Sequence, residues 1–96
     1  MSPSASEYLA DLVERQIDEI FWADPGILRA AYNAARRQAV TIRDGRLLYI
    51  TGKASRALDY LAEVAGAEIA LLWLKSQGIA VSAPAERKAE AALLFA

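Results

Sequence analysis

Residues 40–51 read Val40-Thr41-Ile42-Arg43-Asp44-Gly45-Arg46-Leu47-Leu48-Tyr49-Ile50-Thr51. Two runs rich in β-formers are split by Asp-Gly, a dipeptide that tolerates the positive φ demanded at both central positions of a type I′ turn. The segment is therefore read as a two-stranded hairpin. A two-residue turn sets its register: Arg43 opposite Arg46, Ile42 opposite Leu47, Thr41 opposite Leu48 and Val40 opposite Tyr49. Alternation then puts Val40, Ile42, Leu47 and Tyr49 on one face and Thr41, Leu48, Ile50 and the two arginines on the other. An isolated hairpin is marginal in water, so the apolar face must pack on helices. Arg43 and Arg46 repel each other mildly across the ladder and call for an anion, the nearest in sequence being Asp44.

Upstream of the hairpin the period changes to 3.6. Ser4 followed by Glu7 is the pattern of a capping box, and Tyr8, Leu9, Leu12, Val13, Ile17, Ile20 and Phe21 follow at helical spacing. The outer face of this first helix carries Glu7, Asp11, Glu14, Asp18 and Glu19. Asp24-Pro25-Gly26 stops it and starts another, with Asp24 as N-cap and Pro25 at the first helical position, where the missing N–H is harmless. The second helix is expected over about 25–38, with Leu28, Ala31, Tyr32 and Ala35 inward and Arg29, Asn33, Arg36 and Arg37 outward.

Downstream, residues 53–77 have a helical pattern that ends at Gly78. A continuous helix of that length is roughly 37 Å long, against a diameter near 32 Å for a compact chain of this size. Either it bends at Gly66 or it outruns its own domain. Between Val64 and Leu74 its only charge is Glu68, the pattern of a helix surrounded by other elements. Ala62, Gly66 and Ala70 fall four apart, a flat strip that admits a second backbone. With Trp73, these residues are the expected self-association site. Residues 79–82 read as an extended link and 84–95 as a short, weakly amphipathic helix. The expected architecture is mostly α with one small β-hairpin, an α+β chain in the order helix, helix, hairpin, long helix, short helix. One domain spans 1–96, with the tail 1–4 and the segment 79–96 peripheral.

The 96 residues are 55% apolar, but 21 are alanine, and the chain contains no cysteine and no histidine. Disulfides, thiolate or imidazole metal sites, cysteine nucleophiles and serine–histidine triads are excluded. No convergent carboxylate, lysine or tyrosine set stands out, so no enzyme is expected. Asp11, Glu14 and Asp18 share a helical face but read as a solvated surface; no metal and no cofactor are expected. Gly52-Lys53-Ala54-Ser55 lacks the first glycine and the hydroxyl residue of a phosphate loop. The opening Met-Ser-Pro-Ser-Ala-Ser-Glu has no basic or apolar signal region, and the longest strongly apolar stretch, 69–74, is far short of the roughly 20 residues of a bilayer span. A cytoplasmic protein with no membrane partner is expected.

Charge is segregated along the chain. The formal net charge is −1, yet residues 1–24 carry −5, residues 25–56 carry +6 and residues 57–96 carry −2. The basic middle supplies Arg29, Arg36, Arg37, Arg43 and Arg46 as a candidate surface for an acidic protein. The alternative is a nucleic acid, bound by a winged-helix-like arrangement of helix and hairpin. The large anchors Trp22 and Trp73 either cover the core or mark an interface.

Residues 30–64, from Ala-Ala-Tyr-Asn through the hairpin to Leu-Asp-Tyr-Leu-Ala-Glu-Val, resemble the head–tail joining protein W family of tailed phages. In that family a helix, a hairpin with a Gly-Arg turn and a second helix form a small protein that assembles into rings at the portal. The resemblance covers about a third of the chain. The hairpin here is a residue shorter, and the long first helix and the tail have no counterpart. What it implies is a phage head–tail assembly role. The leading expectation is a non-enzymatic assembly module that forms a homodimer or larger oligomer through Ala62, Gly66, Ala70 and Trp73 and binds another protein.

Overall fold

The computed structural model describes residues 4–95, so Met1, Ser2 and Pro3 of the expected tail lie outside the described residues. In chain order the elements are α1 (Ala5–Ala23), α2 (Pro25–Ala35), β1 (Val40–Arg43), β2 (Arg46–Tyr49), α3 (Arg56–Ala65), α4 (Ala67–Ser76) and α5 (Ala83–Leu94). The chain is mostly helical with one antiparallel hairpin, in the expected order.

Local chemistry explains the boundaries. Ser4 Oγ accepts the Glu7 N–H at 3.2 Å and opens α1. Asp24 serves two helices: its N–H donates to the Ile20 carbonyl and closes α1. Its Oδ1 accepts the Gly26 N–H at 3.1 Å and caps α2, where Pro25 needs no donor. α2 ends at Ala35, three residues before the expected stop. The hairpin register is the one that a two-residue turn dictates, from Val40 opposite Tyr49 to Arg43 opposite Arg46. Asp44 and Gly45 have φ of 53° and 75°, as a type I′ turn requires.

Gly66 divides the long apolar segment into α3 and α4. Its φ of 86° and ψ of 143° belong to a region almost reserved for glycine. Its N–H still donates to the Ala62 carbonyl at 2.9 Å, and its own carbonyl accepts from Ala70 at 3.0 Å. One residue thus closes α3 and opens α4. The turn lets α4 pack against α1, α3, α5 and the hairpin at once, and Ala67, Ile69, Ala70, Leu71 and Leu74 are buried among them. Three helices and both strands of the same chain cover most of the apolar segment. α3 itself begins at Arg56 rather than near Lys53, because residues 50–53 curl back: the Lys53 carbonyl accepts from Tyr49 and the Tyr49 carbonyl from Gly52.

The segment after Gly78 is not peripheral, contrary to the expectation for 79–96. Val40 donates to the Ala80 carbonyl and accepts from Ser82, so Val81 forms a parallel bridge to Val40 on the free edge of β1. Ile79, Ala85 and Ala89 enter the core. Ser82 Oγ caps α5 through the Ala85 N–H, and Lys75 pairs with Glu86 at 3.3 Å to join α4 to α5. Alanine at 85 and 89 lets α5 approach α4 closely, which explains how a weakly amphipathic helix finds a fixed seat. The Tyr49 hydroxyl donates to the Ala34 carbonyl at 2.9 Å, beside the Arg37 N–H that the same oxygen accepts at 3.2 Å, and ties the hairpin to the end of α2. Among the described residues no helix is long and apolar enough to cross a membrane.

Candidate interaction surface

The expected self-association strip is dismantled by the fold. Ala62 lies on α3, Gly66 at the break and Ala70 on α4, so the three no longer form one helical stripe. Ala70 is 0% exposed within its own chain and has no surface to offer a second copy. Trp73 is half-buried and lines a groove of about 550 Å³ between α1, α4 and α5. Leu9, Val13 and Ile17 form apolar walls there, while Glu14, Asp18 and Glu90 supply carboxylates. Asp11, on the same helix, pairs with Arg15 at 3.1 Å. Among the described residues no group of carboxylates converges closely enough to hold a metal ion.

The basic residues separate into two sets. Arg46 donates from Nη2 to both carboxylate oxygens of Asp59, at 3.1 and 3.2 Å. The anion that answers the hairpin arginines is therefore Asp59 on α3 rather than Asp44, and it serves Arg46 alone. That pair is half-exposed and contributes little stability, but it takes Arg46 out of the free positive surface. Arg29, Arg36, Arg37 and Arg43 have no ion-pair partner among the described residues. Arg29, Asn33 and Arg36 follow one face of α2, and the Arg36 guanidinium lies 5.7 Å over the Tyr32 ring.

The loop 50–53 gathers the second set. The Ile50 N–H donates to the Ala39 carbonyl at 2.9 Å and Thr51 Oγ1 donates to Gln38 Oε1 at 3.2 Å, which sets the loop beside the end of α2. Gly52, at φ 95°, lies under the Arg43 side chain: a Cβ there would stand 3.7 Å from Arg43 Nη1. Arg43 thus reaches this loop, which Lys53 ends, and Arg36 and Arg37 lie in the chain just before Gln38; the loop's large apolar side chain, Ile50, is 52% exposed. Sequence reasoning does not single out Ile50, because alternation only assigns it to the second hairpin face. Leu48 on that same face is buried.

Trp22 is the other exposed anchor. It is 79% exposed and meets Phe21 edge-on, with ring centroids 5.5 Å apart. It does not cover the core. Helical phase alone carried the signal: Trp22 lies five residues after the buried Ile17, about 140° around the helix from it. Beyond Asp24, a groove of about 470 Å³ runs between α2 and α3, walled by Ile27, Ala30, Ala57 and Tyr60.

Comparison of the chain with protein families, curated proteins and solved structures returns no match. The resemblance of residues 30–64 to the protein W family therefore rests on the α2–hairpin–α3 pattern alone.

Proposed function

We propose that this chain is a non-enzymatic interaction module that docks an acidic protein surface on the face formed by the end of α2, the hairpin and the loop 50–53. The observation that carries the reading is Ile50, 52% exposed on a loop that is hydrogen-bonded to the segment after α2, with Arg36, Arg37, Arg43 and Lys53 on the adjoining segments and in no ion pair among the described residues. An apolar centre with an arginine-rich surround is the anatomy of a protein interface. A nucleic-acid surface would draw on a strongly basic domain; here the sequence pI is 5.4. The withdrawal of Arg46 by Asp59 also removes charge from the hairpin tip, where a DNA-binding wing would need it.

The test is fluorescence anisotropy with two probes, a synthetic acidic amphipathic helix bearing a leucine stripe and a 20-base-pair duplex. The peptide is expected to bind. Arg37→Glu with Arg43→Glu removes that binding, and Ile50→Ser weakens it about tenfold through lost apolar contact. Tighter binding of the duplex, insensitive to Ile50→Ser and falling steeply with salt, would overturn the proposal in favour of a nucleic acid. Failure of the peptide to bind would overturn it outright.

A further inference from the structure

We infer that two copies of this chain associate about a two-fold axis at the α1–α2 corner, each inserting Trp22 into the groove between α2 and α3 of the other. The inference is independent of the basic face. The knob and the hole are different features of one molecule: Trp22 does not line the groove of its own chain. They are nevertheless neighbours, because Trp22 stands two residues, at most about 7 Å of backbone, from Asp24, which does line it. A two-fold contact apposes one patch to itself, so an adjacent knob and hole satisfy each other twice.

Charge fits the same operation. The groove holds one acid, Asp24, and one base, Arg56. Asp24 uses Oδ1 on the Gly26 N–H and keeps lone pairs free on the other oxygen. Arg56 has no ion-pair partner among the described residues. Rotation about the axis sets each Asp24 against the partner copy's arginine at position 56, giving two identical pairs. Phe21, Trp22 and Tyr60, at 48%, 79% and 51% exposed, offer on the order of 300–400 Å² per copy. That is roughly half to two-thirds of the ~600 Å² per partner at the lower limit of a specific interface. Ile27, Val64 and the groove walls extend the apolar area, so the dimer is a concentration-dependent one.

The experiment is sedimentation equilibrium of the full chain over a concentration series, with charge-swapped variants. Wild type is expected to rise from 10.4 kDa toward twice that mass, and Trp22→Ser to weaken association at least ~30-fold, as loss of a central aromatic anchor does. Asp24→Arg and Arg56→Asp are each expected to stay monomeric alone, because each sets like charges together twice. Mixed in equal amounts they form a 1:1 heterodimer, in which both pairs are restored. Because Asp24 also caps α2, circular dichroism checks that Asp24→Arg is folded; Trp22→Ser, on an exposed side chain, carries the test if it is not. A wild type that stays monomeric to millimolar concentration, a Trp22→Ser that associates like wild type, or two folded charge variants that fail to pair would each overturn the inference.

Discussion

Two regions of this chain are apolar out of proportion to its size, and the fold treats them in opposite ways. The segment 67–74 is enclosed by α1, α3, α5 and the hairpin, whereas the α1–α2 corner leaves Phe21 and Trp22 in solvent. The first buries Ala67, Ile69, Ala70, Leu71 and Leu74 and leaves only Leu72 and Trp73 half-buried at a groove; the second contains two aromatic rings and buries neither fully. Apolar composition therefore does not mark an interface in so small a chain. What marks it is apolar surface that remains after the chain has covered everything it can reach, and reach is decided at Gly66.

The largest expected effect lies in the enclosed region. Leu71 is fully buried at the centre of α4, and Leu71→Ala is expected to cost about 2–5 kcal/mol. For a chain of this length that is a large share of total stability, and urea unfolding measures it as a lowered midpoint. An effect below about 1 kcal/mol would mean that α4 is not enclosed and would erase the contrast. The hinge comes next. A Cβ at Gly66 meets only Glu68 Oε2, at 3.9 Å, so Gly66→Ala is opposed by backbone conformation rather than by crowding. The expected cost is about 1–3 kcal/mol, a Tm fall of about 4–8 °C per kcal/mol in thermal melts. The smallest effect belongs to the corner: Trp22→Ser is expected to change stability by less than about 0.5 kcal/mol under dilute conditions, checked in the same melts, while its association is lost.

The hairpin was legible from residues alone because its determinants are local: Asp44-Gly45 sets the turn, and period-two alternation sets the register. The start of α1 and the α1–α2 corner were legible for the same reason, through Ser4, Asp24 and Pro25. The break at Gly66 was legible only as one of two outcomes: the length of 53–77 allowed a bend there, but the spacing could not choose it over a continuous helix. A glycine within a helix costs only about 1 kcal/mol, and Ala62, Gly66 and Ala70 are spaced as a continuous helix spaces them. Tertiary packing of α4 selects the broken form, and packing leaves no local trace in the spacing. The seating of residues 79–82 on β1 is equally non-local. In the candidate site, the identity of the arginines could be read, but their division could not. Arg46 is claimed by Asp59, thirteen residues away, and Ile50 is left exposed by a curl of the chain at residues 50–53. The exposure of Trp22 needed only the helical phase.

The most direct test is to set Gly66→Ala beside Trp22→Ser and record light-scattering mass and melting temperature for both at one concentration where wild type is dimeric. The expected result is a Gly66→Ala protein that still dimerises but melts lower, and a Trp22→Ser protein that is monomeric yet, when diluted, melts as monomeric wild type does. A Gly66→Ala protein that loses its dimer without losing stability, beside a Trp22→Ser protein that keeps its own, would place the contact on the α3–α4 segment and contradict the account.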